Sequence, residues 1–151
     1  MNKKSRNEMP GIPPKQKKNI LLVEDEALIA LLEKNDLEAE GFDVIHAFSG
    51  EEAIGIVSRD GGSIDLVLMD IDLGCGIDGT EAARIILEER DIPVIFLSSH
   101  SEREIVKKTE EITSYGYVVK NAGIAVLAAS IRMAFRLYEA NKKVSIKNME
   151  V

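Results

Sequence analysis

A single cysteine, Cys75, among 151 residues leaves no partner for an intramolecular disulfide, and a reducing cytoplasm is the setting such a chain fits. Apolar runs are short. None approaches the roughly 18–20 residues needed to cross a bilayer, and no apolar stretch of signal-peptide type opens the chain. No G-x-x-x-x-G-K-[ST] sequence occurs, which argues against nucleotide hydrolysis on a phosphate-cradling loop. These absences lead to the expectation of a soluble, cytoplasmic chain of a length that suits one domain. What is present agrees: 45% apolar and 30% charged residues supply a core under a well-solvated surface.

Charge is distributed unevenly. Residues 1–18 carry six basic residues (Lys3, Lys4, Arg6, Lys15, Lys17, Lys18) against Glu8 alone, leaving 13 basic and 25 acidic residues for the rest. A body that acidic does not bind nucleic acid by itself, because phosphate backbones reward positive surfaces. The basic head, broken by Pro10, Pro13 and Pro14, reads as a disordered leader over 1–18. A folded domain is expected over 19–140, followed by a polar tail or linker stub over 141–151, with no output domain after the last helix.

Past residue 18, short apolar runs alternate with longer segments of helical period. The runs are Ile20 to Val23, Val44 to Phe48, Leu66 to Met69, Val94 to Leu97 and Tyr117 to Val119. Three are continuous rather than alternating, as strands buried on both faces of a parallel sheet require. Five helices are expected. The first, over about 26–40, carries Leu28, Leu31 and Leu32 at helical spacing and stops at Gly41, a natural cap. Ser49 with Glu52, Asp78 with Glu81, and Ser101 with Glu104 have capping-box spacing at the starts of the next three. In the last, Ile124, Leu127, Ala128, Ile131, Phe135 and Tyr138 share one face. Five βα units in a row imply an α/β fold: a doubly wound, five-stranded parallel sheet of flavodoxin-like order 2-1-3-4-5 with five helices.

In such sheets ligands sit at the carboxyl ends of the strands, where strand order reverses. The first strand ends in Glu24-Asp25-Glu26, and the third ends in Asp70, with Asp72 two residues on. Carboxylates crowded on one edge repel one another and raise some pKa values. A hard divalent cation such as Mg²⁺, which prefers oxygen ligands, resolves that conflict. The fourth strand delivers Ser98-Ser99 to the same edge and the fifth delivers Lys120, a flexible point charge for carboxylate or phosphate oxygens. Carboxylate nucleophile, metal site, hydroxyl and lysine together suit phosphoryl transfer to an aspartate, which needs positioning and charge neutralisation more than a general base. Each residue alone is commonplace, as a helix cap, a loop hydroxyl or a solvated lysine. Their joint placement carries the signal.

The stretches Leu21-Leu22-Val23-Glu24-Asp25-Glu26, Leu68-Met69-Asp70, Asp78-Gly79, Pro93 to Ser98 and Tyr117-Val118-Val119-Lys120 resemble the signatures of response-regulator receiver domains over about residues 19–140. The resemblance implies that Asp70 is the phospho-acceptor, that Asp25 binds Mg²⁺ directly and Glu24 through water, and that the carbonyl of Asp72 completes the protein's share of the metal shell. It further implies that Lys120 holds the phosphoryl oxygens, that Ser98 moves toward them, and that Tyr117 turns inward as the aromatic switch. Ser99 and His100 would be modulators. The implied partner is a histidine kinase or a histidine phosphotransfer protein, and the implied readout and homodimer surface is the fourth helix, fifth strand and fifth helix. Such a domain is a switch rather than an enzyme, although it assists its own phosphotransfer and dephosphorylation. Other readings are the receiver module of a hybrid histidine kinase and a docking-only receiver. A flavin-binding module on the same fold is opposed by the acidic loop Glu24 to Ala27, which lacks phosphate-cradling glycines. The chain departs from the family pattern in three places, the mildest being Ser99 where alanine is frequent. A glycine-bearing loop, Leu73 to Ile77, follows Asp70 where a proline is common, and is expected to be looser. Asn121 replaces the proline after Lys120, so a trans bond is expected there.

Overall fold

The computed structural model describes residues 17–74, 76–99, 107 and 115–149, with side chains to residue 144. Along the chain run β1 (Asn19–Val23), α1 (Ala27–Ala39), β2 (Asp43–Ala47), α2 (Gly50–Asp60), β3 (Leu66–Asp70), α3 (Gly79–Glu89), β4 (Val94–Ser98), β5 (Gly116–Val119) and α4 (Ile124–Met149). The strands form one parallel sheet of order β2-β1-β3-β4-β5. The helix expected to open at Ser101–Glu104, like His100 and Cys75, lies outside the described residues, so α4 is the fifth helix of the sequence reading. Among the described residues no helix is long and apolar enough to cross a membrane.

The three continuous apolar runs behave as burial on both faces demands. Every residue of β3 and β4, and all of β1 after Asn19, is buried. Alternate side chains feed two separate cores. Leu21, Val23, Val67, Met69, Val94 and Phe96 pack with α2 and α3, among them Ala53, Val57, Ala82 and Ile86. Ile20, Leu22, Leu66, Leu68, Ile95, Leu97 and Val118 pack with α1 and α4, through Ala30, Leu37, Leu127, Ile131 and Ala134. Full burial of a side chain such as Phe96 or Leu68 contributes about 1.5–3 kcal/mol.

Helix ends follow the capping residues. Ser49 Oγ accepts from the N–H of Glu52 at 3.1 Å, and Asp78 Oδ1 accepts from that of Glu81 at 2.8 Å. At the end of α1, Gly41 takes φ +99°. Its N–H reaches Glu38 O at 3.1 Å, and that of Phe42 reaches Leu37 O at 3.2 Å. Both apolar residues of that Schellman pair are buried together in the α1–α4 core.

Two features differ from what periodicity alone suggests. Leu28, Leu31 and Leu32 share a face of α1, but it is the outer one: all three are exposed. The inward stripe is Ala30, Glu33 and Leu37, so a carboxylate takes a position that a leucine usually fills. The last helix also continues past Asn141, where the apolar pattern fades, to Met149.

Candidate functional site

The site grows from strand ends. Register sets Val23 beside Met69 and Asp70 beside Leu97, so Glu24, one residue past β1, comes level with Asp70, the last residue of β3. Ser98 closes β4 beside Val119, and Lys120 follows directly. Glu24 and Asp70 are each only 1% exposed and Ser98 is fully buried, while Asp25 is partly open. The N-terminus of α1 begins three residues beyond Glu24, so its positive dipole end lies by the cluster.

Lys120 holds the carboxylates together. Its Nζ donates to Asp70 Oδ2 at 2.7 Å and lies 3.3 and 3.4 Å from the two oxygens of Glu24. Asp70 Oδ1 accepts from the N–H of Asp72 at 2.9 Å. One ammonium shared between two buried carboxylates favours the nearer. Burial, then the hydrogen bond and charge of Asp70, push Glu24 from the ordinary 4.5 up to about 9, with Lys120 offsetting part of the rise. Burial pulls the Lys120 ammonium down, but the hydrogen bond and charge of Asp70, followed by those of Glu24, outweigh it and hold the pKa above its ordinary value. No peptide bond among the described residues is cis, so Lys120–Asn121 is trans.

Oxygens of Glu24, Asp25 and Asp70 all lie within 4.8 Å of one another. Three hard oxygen donors at that spacing, two of them buried and sharing a single lysine, are a donor set that suits Mg²⁺. The loop after Asp70, expected to be loose, is pinned at two points. The N–H of Gly74 donates to Asp25 Oδ2 at 2.9 Å, and that of Ile77 donates to Glu51 Oε1 at 2.8 Å. Ser99 Oγ donates to Asp72 Oδ2 at 3.3 Å. Asp78-Gly79 has a steric reason as well as a capping one. A Cβ at Gly79 would collide with the main-chain carbonyl of Asp70, so only glycine lets α3 start this close to β3.

Side-chain parity divides the parts between the two faces of the sheet. Asp70 continues the series Leu66, Leu68, and Lys120 follows Val118, on the α1–α4 face. Ser98 continues Val94 and Phe96, and half-buried Tyr117 packs against the α2–α3 core beside Phe96. Three residues escaped the sequence reading. His46 Nε2 donates to the carbonyl of Glu24 at 2.7 Å, which places a proton on that nitrogen. Glu51 clasps the β3–α3 loop from α2. Glu33 is largely buried by a cavity of about 120 Å³ bounded also by Lys120, Leu97 and Val118, and its Oε2 has no hydrogen-bond partner. Burial raises its pKa above the ordinary value. Its place in the Ala30–Leu37 stripe was the available signal.

Comparison with known proteins agrees with this arrangement. The chain is 33% identical to the transcriptional regulatory protein YvrH of Bacillus subtilis over 128 residues, which is 84% of this chain and 53% of the relative. It is 29% identical to the sensor kinase CckA of Brucella abortus over 114 residues, 75% of this chain and 12% of the kinase. The crystal structure of the N-terminal domain of a response regulator/sensory box/GGDEF 3-domain protein from Carboxydothermus hydrogenoformans superposes with a TM-score of 0.76 at 45% identity, covering 82% of this chain and 98% of that one. The chain spans about half the length of the regulatory relatives it matches. The family model described as "Response regulator receiver domain" matches residues 20–132, and this chain belongs to that family of two-component signalling domains.

Proposed function

We propose that Asp70 accepts a phosphoryl group from a phosphohistidine on a histidine kinase or histidine phosphotransfer protein, and that the domain works as a signalling switch rather than an enzyme. An Asp70 oxygen attacks phosphorus; the O–P bond forms as the N–P bond breaks, and the leaving imidazole keeps the electron pair. The observation that carries this reading is the setting of Asp70, held by Lys120 Nζ at 2.7 Å and the N–H of Asp72 at 2.9 Å beside Glu24 and Asp25. Asp25 and Asp70 would hold Mg²⁺ directly, Glu24 through water, and Asp72 through its carbonyl. When bound, that ion supplies charge neutralisation to the oxygens of the transferring group.

After transfer, Lys120 pairs with a phosphoryl oxygen, Ser98 turns its hydroxyl toward the group and Tyr117 follows into the vacated space, biasing a two-state surface. Because Ser98 and Tyr117 point to the α2–α3 face, the change reaches the side of the sheet opposite Lys120. The exposed Leu28, Leu31 and Leu32, on the helix that starts beside Asp25, offer a donor protein an apolar footing next to the site. The readout surface would include β5, α4 and the segment before β5. A cytoplasmic location suits this role. The match to a stretch of a sensor kinase favours, as a second reading, the receiver module of a hybrid kinase.

Intact mass after incubation with acetyl phosphate, with and without Mg²⁺, tests the proposal. A metal-dependent gain of one phosphoryl group in the parent and none in Asp70→Asn is expected. No gain in the parent, with acetyl phosphate or with a phosphorylated phosphotransfer protein, would leave a docking-only receiver.

A further inference from the structure

At the N-terminal ends of β1 and β2, away from the carboxylate edge, a groove of about 460 Å³ opens between the entry to β1, the α1–β2 turn and α4. Among the described residues every charged side chain lining it is a cation: Lys17, Lys18, Arg132 and Arg136, in a chain of net charge −7. Two rings line it as well, buried Phe42 and half-buried Phe135. The rings steady two of the cations. Lys18 Nζ stands 5.4 Å from the centre of the Phe135 ring, and the Arg132 guanidinium 5.6 Å from that of Phe42. The main chain of Lys18 is fixed too, its carbonyl accepting from the N–H of Asp43 at 3.0 Å. Arg132 has an acidic partner in Glu40 Oε2, at 3.3 Å. Lys17, Lys18 and Arg136 have none among the described residues.

We propose that this groove binds a compact polyanion, the di- or triphosphate chain of a small molecule. Four cations gathered in one place repel one another, and an anion seated among them relieves that repulsion. The planar guanidinium forks of Arg132 and Arg136 suit phosphate oxygens, and cations already held on rings lose less freedom when a ligand arrives. Size selects the occupant. The groove has the volume of a small-molecule site. Its positive field is also local, because residues 19–151 carry 13 basic against 25 acidic residues and salt screens beyond about 8 Å. A short phosphate chain stays inside the patch, whereas nucleic acid, an anionic bilayer or an acidic peptide runs past it and meets carboxylates. The length of β1, roughly 16 Å, separates the groove from Glu24, so the proposal stands or falls apart from the proposed phosphotransfer.

Isothermal titration calorimetry of the full chain with inorganic tripolyphosphate and, separately, with ATP tests it, in EDTA so that no metal draws an anion to the carboxylate edge. One site with a dissociation constant on the order of 50 µM in about 50 mM salt is expected. It should weaken about tenfold or more in about 300 mM salt, and inorganic phosphate should bind about tenfold more weakly than tripolyphosphate. Equal affinities for the two probes assign the phosphate chain alone as ligand, and tighter ATP assigns a nucleoside carrier. Lys18→Glu and Arg136→Glu, both at exposed positions, should each weaken binding about 30-fold or more with an unchanged circular dichroism spectrum. Arg84→Glu, the same charge change at an exposed position on α3, should leave the affinity within about twofold. Absence of binding by both probes, affinity indifferent to Lys18→Glu and Arg136→Glu, an equal loss in Arg84→Glu, or tighter binding of an oligoglutamate peptide would each overturn the proposal.

Discussion

Raising the pH from about 6 to about 8 should tighten Mg²⁺ binding by roughly 50-fold or more, because the site must shed a proton to receive the ion. The proton is on Glu24. Its carboxyl is almost wholly buried beside the Asp70 carboxylate, and the one ammonium paired with it among the described residues, that of Lys120, is 2.7 Å from Asp70 but 3.3 Å from Glu24. With a pKa pushed up to about 9 from 4.5, the metal-free protein keeps Glu24 protonated at neutral pH. Two units of pH would cost nearly 3 kcal/mol on a fully enclosed carboxyl; water on the open Asp25 side screens part of it, leaving about 2 kcal/mol at pH 7. The sign for stability follows. The pKa in the fold lies above its unfolded value, so the stabilising contribution is complete below 4.5 and is lost as pH rises through 9. A bound divalent cation removes that loss, so the Mg²⁺-induced rise in Tm should grow with pH. Isothermal titration calorimetry in buffers of different ionisation enthalpy reads the released proton directly, close to one per ion at pH 7. Glu24→Gln should release none and lose the pH slope, whereas Glu33→Gln should leave the release unchanged. Equal affinity at pH 6 and pH 8 with no proton released would refute the reasoning, since Glu24 would then be ionised already.

Gly79→Ala forces a methyl group onto the carbonyl of Asp70 and should destabilise the fold by about 1–3 kcal/mol, with phosphorylation from acetyl phosphate reduced as β3 shifts; chemical denaturation and intact mass read the two effects. Glu33→Gln should stabilise the metal-free protein by roughly 1 kcal/mol at pH 8 and by almost nothing at pH 4. The raised pKa of Glu33 means its buried charge is a burden only above the ordinary carboxylate range, and paired thermal melts would show it. Asp70→Asn removes one member of the ion pair with Lys120 but frees that lysine for Glu24, so its stability should stay within about 1 kcal/mol of the parent. A melt far below the parent's would contradict that balance.

The strand order and the gathering of Glu24, Asp70, Ser98 and Lys120 were legible because each follows from a local rule. Continuous runs such as Leu66 to Met69 require two covered faces, crossover handedness limits the orders, and strand ends then fall on one edge. The caps at Ser49 and Asp78 and the stop at Gly41 were legible for the same reason, being decided within a few residues. What escaped depends on distant partners. Spacing shows that Leu28, Leu31 and Leu32 share a face but not which way it points. That is settled by the packing of Ala30 and Leu37 into the core shared with α4, with Glu33 carried along on the same stripe. The hold of Glu51 on Ile77, 26 residues away, and that of His46 on Glu24 have no local signature. A glycine-bearing loop accordingly read as loose when two long-range hydrogen bonds tie it down.

The length of α4 has a mechanical consequence. The helix starts four residues beyond Lys120, and Val144 stands about 30 Å along its axis from Ile124. Were the helix to pivot near the lysine end, a tilt of about 10° would carry Val144 through about 5 Å, nearly the pitch of one helical turn. A repositioning of Lys120 too small to notice at the sheet edge would then be amplified at the far end, where spin labels at Val144 and on the body of the domain could measure it as a change in separation.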